Sequence, residues 1–143
     1  FPLREIYGND SYFITALGTA FDLSEFEFME DLNQVIINED IEEIILVNDH
    51  QCTFTRSALA LENRFGTKPE DILFNIINSN ESIKELNDET LKCKQISKVN
   101  LKRLANDLKD SAFIGQKIAS EELHLKAIIY NRNEKEIQET FVN

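Results

Sequence analysis

Cysteine, glycine and basic residues are scarce in this chain, and each scarcity closes a class of function. Two cysteines, Cys52 and Cys93, cannot form the disulfide framework of a small secreted domain, so a reducing cytoplasm is the expected location. With four glycines there is no Gly-rich loop to cradle a phosphate. No Cys-x-x-Cys pair occurs, and no Ser, His and Asp fall in the order of a hydrolase triad. Lys and Arg number 15 against 26 Asp and Glu, a formal net charge of −11. Phosphate backbones and anionic bilayers would be repelled, so neither nucleic acid nor a membrane surface is expected as a partner. No apolar run approaches the roughly 20 residues that cross a bilayer, and no signal-peptide pattern is present.

What remains is an ordinary soluble composition, 42% hydrophobic and 29% charged over 143 residues. That length supports one core, so residues 1–143 are read as a single domain. There is no internal repeat and no low-complexity tract. The chain opens Phe1-Pro2-Leu3 without an initiator Met, as a fragment would.

The pattern predicts α/β structure. Residues 11–16 (SYFITA) are aromatic and β-branched, a strand by composition, closed by Gly18. Ser24 with Glu27 has the spacing of a capping box. It opens a helix with Phe28, Leu32, Val35 and Ile36 on one face, ended by Asn38-Glu39-Asp40. Residues 43–48 form the next strand, which makes a βαβ unit with parallel strands. Residues 53–65 are helical in pattern (Phe54, Ala58, Leu61, Phe65), with Gly66 as the C-terminal cap. Thr67, with Pro69 two residues on, opens a helix through Ile72, Leu73, Ile76 and Ile77. Residues 78–90 are polar and read as irregular or weakly helical. A helix over 97–108 turns Leu101, Leu104 and Leu108 inward and Lys98, Lys102, Arg103 and Asp107 outward. Strands at 123–130 and 136–142 close the chain as an antiparallel hairpin around an Asn-rich turn.

Chemistry concentrates at one place, EIILVNDHQC over 43–52. Its apolar β-branched run has the character of a strand covered on both faces. It stops abruptly at Asp49, His50, Gln51 and Cys52, and the carboxyl end of a strand is where α/β sheets bind ligands. Asp49, His50 and Cys52 can each ligate a metal. Each also has a plainer role: a cap for Asp49, a solvated loop position for His50, and a small buried hydrophobe for Cys52. Two ligands on their own hold zinc poorly. Cys93, with Lys92 and Lys94 beside it, reads as an ordinary thiol, and His124 as a half-exposed strand histidine.

Several segments, in order, resemble the β-class carbonic anhydrases. Members of that family carry a strand ending Cys-x-Asp-x-Arg, then a strand reading Gly-Asp-x-Phe-Val-x-Arg-Asn-Ala-Gly-Asn. An apolar strand ending Gly-His-x-x-Cys-Gly follows, then a helix starting near Asn-Val and a closing hairpin. Residues 9–19 (NDSYFITALGT) resemble the second segment and 43–53 the third, while 100–108 and 121–140 resemble the last. The similarity covers most of the chain. It implies a β-carbonic-anhydrase-like α/β fold, a mostly parallel sheet flanked by helices with a C-terminal antiparallel hairpin, and by family habit a homodimer.

The functional residues depart from the pattern. Thr15-Ala16-Leu17-Gly18-Thr19 stands for Arg-Asn-Ala-Gly-Asn and keeps only the glycine. With Cys52 on the family's second cysteine, Asp49 falls at the zinc histidine and Thr53 at the following glycine. The Cys-x-Asp-x-Arg motif is absent from the chain as given: either it lay before Phe1, or the protein lacks it and with it the first strand. In the family two thiolates and an imidazole hold zinc, whose water then ionises near neutral pH and attacks carbon dioxide. An Asp in place of the imidazole adds negative charge beside the metal and weakens that nucleophile. Two readings follow. The favoured one is a pseudoenzyme with a degraded zinc site, acting as a structural or small-anion-binding module with no catalytic residue to name. The alternative is a zinc-dependent carbonate dehydratase that interconverts CO2 and bicarbonate, using Cys52, Asp49 or His50, and a Cys upstream of residue 1.

Overall fold

The computed structural model describes residues 11–14, 19–49, 67–131 and 136–142. In chain order its elements are helix α1 (Phe26–Asn38), strand β1 (Glu43–Asp49), and helices α2 (Lys68–Ser79), α3 (Glu81–Lys84), α4 (Glu89–Asp110) and α5 (Ala112–Ala119). Strands β2 (His124–Asn131) and β3 (Glu136–Val142) complete it. The described strands form one sheet ordered β1-β2-β3, with β1 parallel to β2 and β2 antiparallel to β3. The chain is α/β, a parallel pair flanked by helices and closed by the expected C-terminal hairpin. The turn of that hairpin and the helix expected over 53–65 lie outside the described residues.

Helix α4 is the axis of the packing. Cys93, Ile96, Ser97, Asn100, Leu101, Leu104, Ala105 and Leu108 recur at three- and four-residue spacing, which puts them on one stripe, and all are buried. Ile96 packs with Leu73, Phe74 and Ile76 of α2 and Ile83 of α3. Leu101 packs on Ala127 and Ile129 of β2, with half-buried Leu46 of β1 beside them. Ala105 and Leu108 join Ile36 of α1, Ile114 and Ile118 of α5, and Leu125. The register pairs Ile44 with Leu125, Leu46 with Ala127 and Asn48 with Ile129. Because side chains alternate along a strand, these six share the sheet face that α4 covers, and Asp49, opposite Tyr130, points to the other face.

Two matching turns feed the parallel strands. Helix α1 ends with Asp40 at φ 49, with hydrogen bonds from Ile41 N to Ile36 O and from Asp40 N to Ile37 O. Helix α5 ends with Glu121 at φ 64, with bonds from Glu122 N to Lys117 O and from Glu121 N to Ile118 O. Both are Schellman caps, with an acidic residue at the left-handed position that usually takes Gly. The ladder then opens with His124 N donating to Glu42 O at 2.9 Å.

The structure corrects several expectations. Residues 11–14 are not in a strand, and the parallel partner of β1 is β2, since strand pairing is decided by what the helices cover and not by local β-propensity. Ser24 does not cap α1: its N–H and hydroxyl both donate to Asp22 Oδ1, and Glu25 occupies the cap position without a side-chain bond. The capping box is instead at Thr67 and Glu70, where Thr67 Oγ1 accepts from Glu70 N and Glu70 accepts from Thr67 N at 3.2 Å. The polar stretch 78–90 contains the short helix α3, and α4 begins at Glu89, with Asp88 accepting from Thr90 N at 2.8 Å. Helix α5 was not anticipated. It turns off α4 so closely that a Cβ on Gly115 would fall on the Lys109 carbonyl oxygen, and only 3.1 Å from its carbon.

Candidate functional site

The carboxyl end of β1 carries a buried polar network rather than a cluster of metal-ligand side chains. Asn48 is 2% exposed, and its position on the α4 face aims its amide at that helix. Asn48 Nδ2 donates to Ser97 Oγ at 3.1 Å, and Ser97 Oγ donates to the Cys93 carbonyl one turn back at 3.0 Å. Asn100 Nδ2 donates both to Asn48 Oδ1 at 2.9 Å and to the Thr19 carbonyl at 3.0 Å. Asn100 Oδ1 in turn accepts from Arg103 Nη2 at 2.8 Å and Nε at 3.3 Å. Arg103 Nη2 also reaches the Phe21 carbonyl at 3.0 Å. Each buried amide and hydroxyl named here has a partner, the condition under which an interior polar network rigidifies instead of destabilising.

The network holds a backbone conformation that would not persist unaided. Thr19 has φ 56, left-handed and unfavourable for a β-branched residue. Its hydroxyl donates to the Val47 carbonyl at 3.0 Å, and its own carbonyl is held by Asn100. Strained residues fixed by their surroundings concentrate at functional sites. Thr19 also stands where the resemblance has the closing Asn of Arg-Asn-Ala-Gly-Asn, and Asn is among the residues that tolerate this region best.

Arg103 was expected to face outward, yet it lies half-buried against this network. Burial pushes its guanidinium pKa down, opposed by Asp107 at 3.7 Å and by the charge of Asp22. Asp22 lies below the usual carboxylate range, chiefly because Ser24 hydrogen-bonds it and also because Lys68 sits at 3.5 Å. The segment from Thr19 to Asp22 is therefore pinned from both sides.

Of the three candidate ligands, Asp49 is the half-buried last residue of β1, on the sheet face opposite Asn48. His50 and Cys52 lie outside the described residues, so the structure does not bring the three together. No group of three or more His, Cys, Asp or Glu side chains converges among the described residues. The groups that do converge are amides, a hydroxyl and a guanidinium, a donor set that does not fit zinc. His124 is exposed at the start of β2, and Cys93 is a free, buried thiol on α4. Sequence reasoning missed Asn48, Ser97 and Asn100 as a unit. The available signal was polar residues inside an apolar stripe, at 97 and 100 on the helix and at 48 on the strand.

Solved structures with the same arrangement of elements identify the fold. A tetrameric β-carbonic anhydrase from the ascomycete Sordaria macrospora superposes with a TM-score of 0.72 at 16% identity, covering 86% of this chain and 64% of that one. This chain has the β-carbonic anhydrase fold. The wild-type β-carbonic anhydrase CafD of Aspergillus fumigatus matches with a TM-score of 0.68 at 12% identity, over 82% of this chain and 67% of that one. The Coccomyxa β-carbonic anhydrase, solved with acetazolamide, gives 0.69 at 12%, over 86% and 57%. The chain thus spans roughly three fifths to two thirds of the length of these enzymes. At such identities the likeness concerns the carbonic-anhydrase-like fold, and activity has to be argued from the site. No family model and no curated protein matches the sequence.

Proposed function

We propose that this carbonic-anhydrase-like protein is a pseudoenzyme with a degraded zinc site, serving as a structural or binding module that takes a small anion of the bicarbonate class at the carboxyl end of β1. The observation that carries this reading is the lock on Thr19: Asn100 and Val47 hold the loop over the strand end in a strained conformation, using neutral amide and hydroxyl groups. The resemblance adds that Asp49 stands where a zinc histidine would be. An acidic ligand there opposes the ionisation of a metal-bound water.

The test is elemental analysis of purified wild type and Cys52→Ser, followed by a CO2-hydration assay. The proposal expects no zinc in either protein and no hydration above background, with bicarbonate perturbing the amide resonances of residues 19–22 and 48–49. About one zinc per chain, lost in Cys52→Ser and accompanied by hydration activity, would overturn it. It would instead establish the working carbonate dehydratase, with Cys52 and Asp49 or His50 as ligands. The module is further proposed to act as a cytoplasmic homodimer. Apolar side chains open to solvent support self-association, among them Phe26, 75% exposed on α1, and Tyr12, 59% exposed. Light scattering of the eluted protein checks the stoichiometry. No helix among the described residues is long and apolar enough to cross a membrane.

A further inference from the structure

At the opposite edge of the sheet, where β1 and β2 begin, the two Schellman turns flank an open groove of about 430 Å³. Its apolar wall is Ile36, Ile41 and Phe113, continuous with the core beneath, and Ile37 stands 53% exposed at its lip. Its charge is one-sided. Asp40, Glu42 and Glu122 line it against a single cation, Lys117. That lysine is already engaged, 3.3 Å from Glu122 and 5.4 Å above the Phe113 ring. Asp40 and Glu42 have no ion-pair partner among the described residues.

The backbone adds to the same sign. Helices α1 and α5 both end at this groove, and the carboxyl end of a helix carries partial negative charge. Helix α5 compensates with Lys117 in its last turn, whereas α1 has no basic residue there and continues into Glu39 and Asp40. An apolar wall beside uncompensated negative charge selects an apolar body bearing a cation. The engaged Lys117, stem against Phe113 and ammonium on Glu122, is an internal example of that chemistry.

We propose that this groove is a binding site for an amphipathic cation, an ammonium or guanidinium on an apolar body of about six carbons, the cation held by Asp40 and Glu42 and the body by Ile36, Ile37 and Ile41. The ligand is either a free organic amine or a lysine side chain of a peptide. The site is separate from the network at the other end of β1, so it stands or falls independently of the proposed module.

The experiment is an amide-resonance titration of the full chain at low salt with hexylamine, hexanol, hexanoate and the dipeptide acetyl-Leu-Lys-amide. Hexylamine should shift residues 36–42, 113–117 and 122 with a dissociation constant on the order of a millimolar, as so few heavy atoms allow. Hexanol should bind several-fold more weakly and hexanoate not at all. Asp40→Asn and Glu42→Gln should each weaken hexylamine about three-fold, the range of single exposed charges. Asn tolerates the left-handed backbone at position 40, and retained thermal midpoints confirm that the variants fold. Tighter binding of the dipeptide than of hexylamine assigns the site to a peptide side chain, and the reverse assigns it to a free amine. Equal shifts with hexanol, no localised shifts, or affinity unchanged in both variants would refute the proposal.

Discussion

Replacing Asn100 by Ala tests the network at its centre. The side chain donates to Asn48 Oδ1 and the Thr19 carbonyl, and accepts two bonds from Arg103. The three partners do not lose equally. The Thr19 carbonyl keeps the bond from Phe21 N at 3.0 Å, and Arg103 keeps Phe21 O and Asp107 while half open to water. Asn48 Oδ1 belongs to a residue 2% exposed and would be stranded without its partner, at a cost of about 1–3 kcal/mol. Loss of the charge-assisted Arg103 bonds, discounted for water access, adds roughly 1 kcal/mol. The expected total is about 3 kcal/mol, a fall of roughly 10 °C in the unfolding midpoint for a chain of this size. Urea unfolding followed by circular dichroism gives the number. A cycle with Asn48→Ala should return a coupling of about 1–2 kcal/mol. A loss below about 1 kcal/mol, or no coupling, would show that water replaces the amide and that the network does not hold the loop.

Three further outcomes follow from named contacts. Gly115→Ala should destabilise by about 2 kcal/mol despite better helix propensity, because its Cβ collides with the Lys109 carbonyl; an unchanged midpoint in a thermal melt would contradict the close approach. Leu101→Ala, emptying a fully buried site between α4 and β2, should lose about 3 kcal/mol with an unchanged urea m-value; a loss under about 1 kcal/mol would mean that α4 does not clamp the sheet there. Asp22, whose folded pKa lies below its ordinary 3.8, contributes stability above that value that is lost as pH falls through the lower folded pKa. Ser24→Ala should raise its titration midpoint in a carboxyl NMR titration, and an unmoved midpoint would reject Ser24 as the main cause.

Much of this architecture is determined locally and was legible in the residues. The 3.6-residue stripe of α4, the run at 43–48, the helix opened by Thr67 and Pro69 and the closing hairpin depend on periodicity and turn chemistry, which neighbouring residues carry by themselves. The ordered resemblance to β-carbonic anhydrases likewise led to the fold. Only the tertiary structure decided the rest. Residues 11–14 have strand composition but no strand, because pairing needs a partner edge. Arg103 has the helical phase of an outward residue, yet it turns inward because Asn100 and Phe21 offer it acceptors from distant parts of the chain. Asn48, Ser97 and Asn100 read singly as two interruptions of a helical stripe and the end of a strand. They become one network because the parallel register of β1 beside β2, beneath α4, brings residues 49 and 52 positions apart within hydrogen-bonding distance, and no local pattern encodes such a separation.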